Sequence, residues 1–449
     1  MDYQSQLAQL CAQMKEHNAI GAEDYGRFLV KRGLRNADGT GVMAGLTRIC
    51  AVDGYYLKDG ERLPSPGKLY YRGYDVEALV AGAAAQQRFG YEEAVWLLLF
   101  GSLPTRENLA LLHSLLAAHR ELPAGFIEDI LMKNPSPDIM NKMARSVLAL
   151  YAIDPRADDT SLENVLRQSV LLIAQLPAIM VYAWQVKRRA YYKKSMHLHP
   201  VKPGLSTAET ILRTIRSDKQ FTDEEAKLLD ICLVLHADHG GGNNSTFATR
   251  VLTSTGTDTY SALVAGIGSL KGPLHGGANI KVSEMLQYMH GGIGDITDEG
   301  QVFDFLVKLL NKQAGDRSGK IYGMGHAVYT ISDPRALILK QYARDFAARR
   351  GCGDQFQLLT LIERLAPKAF AQVKGGTKPL CANVDLYSGL IYQMLGIPDD
   401  LFTPVFALAR TAGWCAHRLE ELQTGGRIHR PAYKNVAGYA DYIPLEERG

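Results

Sequence analysis

None of the six cysteines, at positions 11, 50, 232, 352, 381 and 415, stands in a CxxC pair. That absence excludes the common zinc and thiol-redox patterns. Sparse, unpaired cysteine is the usage of a reducing compartment, so the expected location is cytoplasmic. Cys232, inside an apolar helical run, reads as a small core residue. An excess of charge is also lacking, because 50 basic against 47 acidic residues leave a net +3. That is too little to suggest a dedicated polyanion binder. The sharpest basic run, Lys187-Arg188-Arg189-Ala190-Tyr191-Tyr192-Lys193-Lys194, interleaves aromatics as a nucleic-acid grip would. It reads more simply as a solvated loop after a buried helix, and no nucleic-acid partner is expected. No apolar stretch is long enough to cross a bilayer. The longest, Val170 to Trp184, holds Gln175 and Pro177 and reads as a buried helix, so no membrane role is expected. Met1-Asp2-Tyr3-Gln4 lacks a basic then apolar signal, and acidic residues at 2, 16, 23 and 24 argue against a transit peptide. Low-complexity tracts, fixed repeats and linker-like stretches are missing too, so no solenoid is expected.

What is present is helical period in a chain of 449 residues, long enough for a large core and more than one domain. Tyr91 to Phe100 groups its apolar residues on one face and stops at Gly101 to Pro104. Ser206-Thr207-Ala208-Glu209 and Thr222-Asp223-Glu224-Glu225 have capping-box spacing. Asp333-Pro334 opens a further helix that Gly351 closes. Strand signals are confined to Leu46 to Tyr56 and Lys68 to Arg72, with Asp53-Gly54 and Asp59-Gly60 as turns. The expected fold is mainly α with a minor antiparallel β element near the N-terminus.

Three segments in the C-terminal half set an ionisable residue at a backbone break, where functional side chains concentrate. In Gly272-Pro273-Leu274-His275-Gly276-Gly277 the histidine sits near a helix N-terminus, whose dipole disfavours imidazolium. A neutral imidazole can donate to a carbonyl becoming an enolate, as in the triosephosphate isomerase pattern; it can equally fill a turn. His326, in Gly323-Met324-Gly325-His326, precedes Arg335 in the first turn of a helix. A cation there opposes the macrodipole unless an anion is near, so an anion site is favoured over a surface ion pair. Asp385, in Asn383-Val384-Asp385, is either an N-cap or a carboxylate placed to take a proton from carbon. His236, Asp238 and His239 could ligate a metal, but the spacing is not HExxH. Arg410, Arg418, Arg427 and Arg430 could together hold a dicarboxylate.

The combined pattern resembles the citrate synthase family, in register from roughly Gly41 to Asn435. The pieces are His-Ala-Asp-His at 236–239, Gly-Pro-Leu-His-Gly-Gly-Ala-Asn at 272–279, Gly-Met-Gly-His-Ala-Val-Tyr at 323–329 with Asp-Pro-Arg at 333–335, and Asn-Val-Asp-Leu-Tyr-Ser-Gly at 383–389. Tyr71-Arg72-Gly73-Tyr74 and Leu97 to Pro104 match its N-terminal half. The resemblance implies a homodimer with a large helical domain, residues 1–278 and 391–449, and a small one, residues 279–390, the active site lying between. It implies condensation of acetyl-CoA with oxaloacetate, followed by hydrolysis to citrate and CoA, with no metal or redox cofactor. Asp385 would be the base, His275 the enol donor and His326 the carbonyl polariser. His239, Arg335 and Arg410 would hold oxaloacetate, and Arg430 would reach the partner subunit's site. Gly323, Met324 and Gly325 would meet CoA, whereas Thr330 replaces a basic residue frequent near its phosphates. The rival readings are 2-methylcitrate synthase, which uses propionyl-CoA, the reverse citryl-CoA lyase, a metal-dependent hydrolase using His236, Asp238 and His239, and a non-catalytic helical binding protein.

Overall fold

Helix boundaries fall where the capping chemistry puts them in the computed structural model, which describes residues 2–59, 61–375 and 379–448. Ser206 and Thr222 each accept the N–H of the glutamate three residues on, at 3.2 Å. The Glu209 and Glu225 carboxylates accept the cap N–H groups in return, at 2.7 and 2.8 Å. These reciprocal bonds satisfy donors that a bare helix start would leave open. They open the helices Thr207–Ile215 and Asp223–His236. Tyr91–Phe100 ends on Gly101 at φ 86°, a left-handed stop that glycine allows. Asp333 caps Pro334–Arg349, with proline at the first position.

The sheet has three antiparallel strands in sequence order: β1 (Cys50–Lys58), β2 (Glu61–Tyr71) and β3 (Tyr74–Asp75). β1 and β2 pair from Cys50↔Tyr71 to Lys58↔Glu61. Asp53-Gly54 is not the expected turn. It lies inside β1, where the register shifts between Asp53 and Tyr55. The reason is a close approach, because a Cβ on Gly54 would sit 2.7 Å from the Val328 carbonyl oxygen. Glycine at this bulge therefore lets the 328–329 backbone lie on the sheet. Of the other expected turn, Gly60 lies outside the described residues.

The core gathers around the Leu162–Ala190 helix, the Asp223–His236 helix and the helix Phe402–Gln423. Cys232 is fully buried there, as expected. Leu162–Ala190 runs well past the anticipated Val170 to Trp184. By length and composition it could cross a bilayer, yet 89% of its most apolar window is buried in protein. Its last turn corrects the expected solvated basic run. Lys187 is buried and ion-paired with Asp400, which also accepts the Tyr192 hydroxyl at 2.8 Å. A buried ammonium needs such a partner, and only the later residues of the run are exposed.

Two units are distinguishable. One is built from the described parts of Met1–Ala44 and His429–Gly449, with the capped helix Tyr3–Asn18 and Lys434 set over the Phe28 ring. The other, Gly45–Ile428, holds the sheet and the long helices.

Candidate active site

A glycine-rich loop at residues 323–325 is joined backbone to backbone to residues 381–383. Gly323 and Gly325 take φ of 79° and 91°, and Met324 pairs with Ala382 as an isolated bridge. Gly325 N–H donates to the Cys381 carbonyl at 2.7 Å, and Asn383 N–H to that of Gly323 at 2.9 Å. The Asn383 side chain adds a bond from Nδ2 to the Gly325 carbonyl at 2.9 Å. Its Oδ1 accepts the Asp385 N–H at 3.0 Å and caps the helix Val384–Met394. Asp385 is therefore not the N-cap. Relieved of that duty, its Oδ1 is buried without a partner. Burial pushes this carboxyl up to about 6, against the opposing pull of Arg335 and Arg410.

His326 follows directly. Its Nδ1 accepts the N–H groups of Val328 and Tyr329, both at 3.1 Å. A neutral ring bonded in this way carries its proton on Nε2. Tyr329 stacks on the ring at 4.5 Å, and His239 meets it edge-on at 5.1 Å. The anion that Arg335 calls for is Asp333, gripped by Nε at 3.0 Å and Nη2 at 2.7 Å. Both residues are buried, and the Asp333 charge, set against the cost of burial, holds the guanidinium firmly protonated.

Arg410 is the counterpart. Its Nε donates to the His236 carbonyl at 2.6 Å, while Nη1 and Nη2 are buried without partners. An open guanidinium fork inside a protein is costly and matches a carboxylate. His275 lies in a turn, with Nε2 3.2 Å from the Ser245 hydroxyl, which also accepts Trp414 Nε1–H at 3.2 Å. Burial, then Arg410, brings the imidazole down to about 4. His275 is thus neutral, as expected, with its burial as a cause that the sequence did not show. Burial also holds His239 well below the usual histidine range, helped by Arg335, His326, Arg410 and His275. These mutual influences place His239, His275, His326, Arg335, Arg410 and Asp385 in one cluster.

Other candidates are engaged differently. Arg418 is spent on Thr257 O at 2.7 Å and Thr259 Oγ1 at 3.2 Å, and Arg427 is exposed. Arg430 is exposed within the terminal unit. His236 stacks on Phe406 at 4.3 Å, and Asp238 turns to Gly240 N–H and His417. The His236, Asp238 and His239 side chains therefore do not converge, and among the described residues no three such groups are placed as metal ligands. Sequence reasoning missed Ser245, the Asp333–Arg335 fork, the Asn383 staple and His417. Asn383 and Asp333 carried a local signal, each as a cap residue two positions before Asp385 or Arg335.

A family profile described as citrate synthase, C-terminal domain, matches residues 35–432. The chain belongs to the citrate synthase family. The citrate synthase of Haloferax volcanii is 34% identical over 93% of this chain and 99% of its own length. The 2-methylcitrate synthase 1 of Corynebacterium glutamicum is 32% identical over 88% of this chain and 96% of its own. Among solved structures, citrate synthase from Thermoplasma acidophilum in a ternary complex with carboxymethyl coenzyme A and oxaloacetate superposes with a TM-score of 0.73. That alignment is 27% identical and covers 93% of this chain and 99% of the other. Citrate synthase structure thus agrees with the mainly helical fold and its small sheet.

Proposed function

We propose that the chain condenses acetyl-CoA with oxaloacetate and hydrolyses the resulting citryl-CoA, releasing citrate and CoA. The observation that carries this reading is the unpartnered Asp385 Oδ1 among neutral imidazoles and an open arginine fork. Asp385 takes a proton from the acetyl methyl group, a task suited to a carboxylate raised towards neutrality. His275, with Nε2 beside the Ser245 hydroxyl, stabilises the enol by donating from Nδ1, the hydroxyl turning from Asn243 Oδ1 to donate to Nε2. The enol carbon attacks the oxaloacetate carbonyl, whose oxygen receives the Nε2–H of His326. Arg410, Arg335 and His239 hold the dianion, and neutral donors supply the electrophilic help with no metal or redox cofactor. Gly323, Met324 and Gly325 border the CoA path, and Thr330, whose hydroxyl is buried without a partner, leaves the phosphates to other residues.

The enzyme acts as a homodimer in which Arg430 serves the partner subunit's site. A small domain of residues 279–390 closes on the remainder, residues 1–278 and 391–449, and excludes water before the thioester reacts. Six free thiols support a cytoplasmic setting, and citrate formation places the reaction in the tricarboxylic acid cycle. The methylcitrate synthase relative supports a second reading in which propionyl-CoA is used, since one methylene is worth only about 1–3 kcal/mol of discrimination. Thiol release from acetyl-CoA and from propionyl-CoA, each with and without oxaloacetate, tests both. Oxaloacetate-dependent release favouring acetyl-CoA is expected. A propionyl-CoA preference moves the assignment to the second reading, and no release from either thioester refutes both.

A further inference from the structure

The His236-Ala237-Asp238-His239 segment contributes a substrate ligand through His239, but Asp238 has no part in the reaction so far. It is wholly buried, and its carboxylate is built into a chain of contacts. Oδ2 accepts Gly240 N–H at 3.0 Å and lies 3.2 Å from His417 Nε2. His417 Nδ1 in turn lies 2.8 Å from Arg250 Nη1. A guanidinium only donates, so Nδ1 accepts and the ring proton stands on Nε2, directed at Asp238. Arg250 is fixed by Glu420 at 2.9 Å and Glu421 at 3.0 Å. The tautomer of His417 is therefore set from outside, through a fully buried imidazole.

Asp238 is also the foremost anion acting on Arg410, yet the two do not bond. Asp238 Oδ1 and both terminal nitrogens of Arg410 are without partners. Gly413 makes room for this arrangement, since a Cβ there would lie 2.3 Å from Asp238 Oδ1. The carboxylate is near enough to offset the buried cation and is held away from its fork.

We propose that His417 is a positioning residue for oxaloacetate: by tethering Asp238 it keeps the counter-ion of Arg410 from closing onto the guanidinium fork, which stays open for the substrate carboxylate. This rests on the proposed condensation. Without the tether, Asp238 rotates about its side-chain bonds, pairs with Arg410 and competes with oxaloacetate.

The test compares His417→Gln, whose amide nitrogen reaches the Nε2 position, with His417→Asn, one methylene too short. Both leave a polar amide in the same cavity, so their effects on stability are matched. The expected result is an oxaloacetate KM raised about tenfold or more in His417→Asn, the scale of one charge-assisted hydrogen bond. The acetyl-CoA KM and kcat stay near wild type, and His417→Gln recovers the oxaloacetate KM. Direct titration of each variant with oxaloacetate, read by tryptophan fluorescence, follows the same order. Equal oxaloacetate KM in wild type, Gln and Asn variants overturns the inference, as does an equal fall in kcat for both variants with KM unchanged. Absence of oxaloacetate-dependent turnover in the wild type would instead overturn the proposed function.

Discussion

Replacing Asp385 with asparagine separates chemistry from stability at one atom. The side chain keeps its shape and loses its charge, so the cap formed by Asn383 is undisturbed. As general base, Asp385 is expected to be worth about two to four orders of magnitude in turnover. The same change removes a burden on the fold. A carboxyl raised from 3.8 to about 6 corresponds to roughly 3 kcal/mol at high pH. Burying an unpaired amide returns about 1 kcal/mol of that. The sign follows from proton binding: the folded state holds this proton more tightly than the unfolded one. Wild-type stability is therefore intact below the ordinary carboxylate value and is lost as pH rises through about 6. Asp385→Asn should be the more stable protein at pH 8, with the advantage reduced to about a third at pH 5. Denaturant melts at the two pH values, alongside thiol release by wild type and variant, measure both halves. The wild-type kcat/KM for acetyl-CoA should also fall on the acid side with a midpoint near 6. Turnover within tenfold of wild type would remove Asp385 as the base. A stability difference that ignores pH would refute the account of the raised carboxyl.

His275→Ala should keep the fold by circular dichroism and lower kcat by about two to three orders of magnitude, the usual cost of losing a donor to a developing oxyanion; unchanged kcat would exclude it from the chemistry. Asp333→Asn breaks the fork on Arg335 and should raise the oxaloacetate KM about tenfold, whereas an unchanged value would make the pair purely structural. Gly54→Ala puts a methyl 2.7 Å from the Val328 carbonyl oxygen, expected to cost about 1–3 kcal/mol and to depress activity by shifting the His326 loop. Wild-type melting and turnover in that variant would show that the loop yields freely.

Local chemistry was legible in the residues themselves. The capping boxes at Ser206 and Thr222 and the proline start at 334 depend on neighbours three residues apart or fewer. The neutrality of His275 could be anticipated, though its burial and the nearby Arg410 could not. What escaped the sequence depends on distant partners. Lys187 looked solvated because Asp400, 213 positions away, is invisible in its neighbourhood. Gly54 looked like a turn because the backbone that requires it belongs to residues 328 and 329. His417, 179 positions from Asp238, sits in an apolar helix with nothing nearby to mark it.

The bonds among Gly323, Gly325, Cys381 and Asn383 have a consequence for redesign. They weld the loop bearing His326 to the helix bearing Asp385, so proton abstraction and carbonyl activation share one rigid mount. An engineer seeking a bulkier acyl group can reshape the surrounding walls without misaligning the two steps. A single substitution at Asn383 would loosen that mount while leaving the identity of every reacting side chain unchanged.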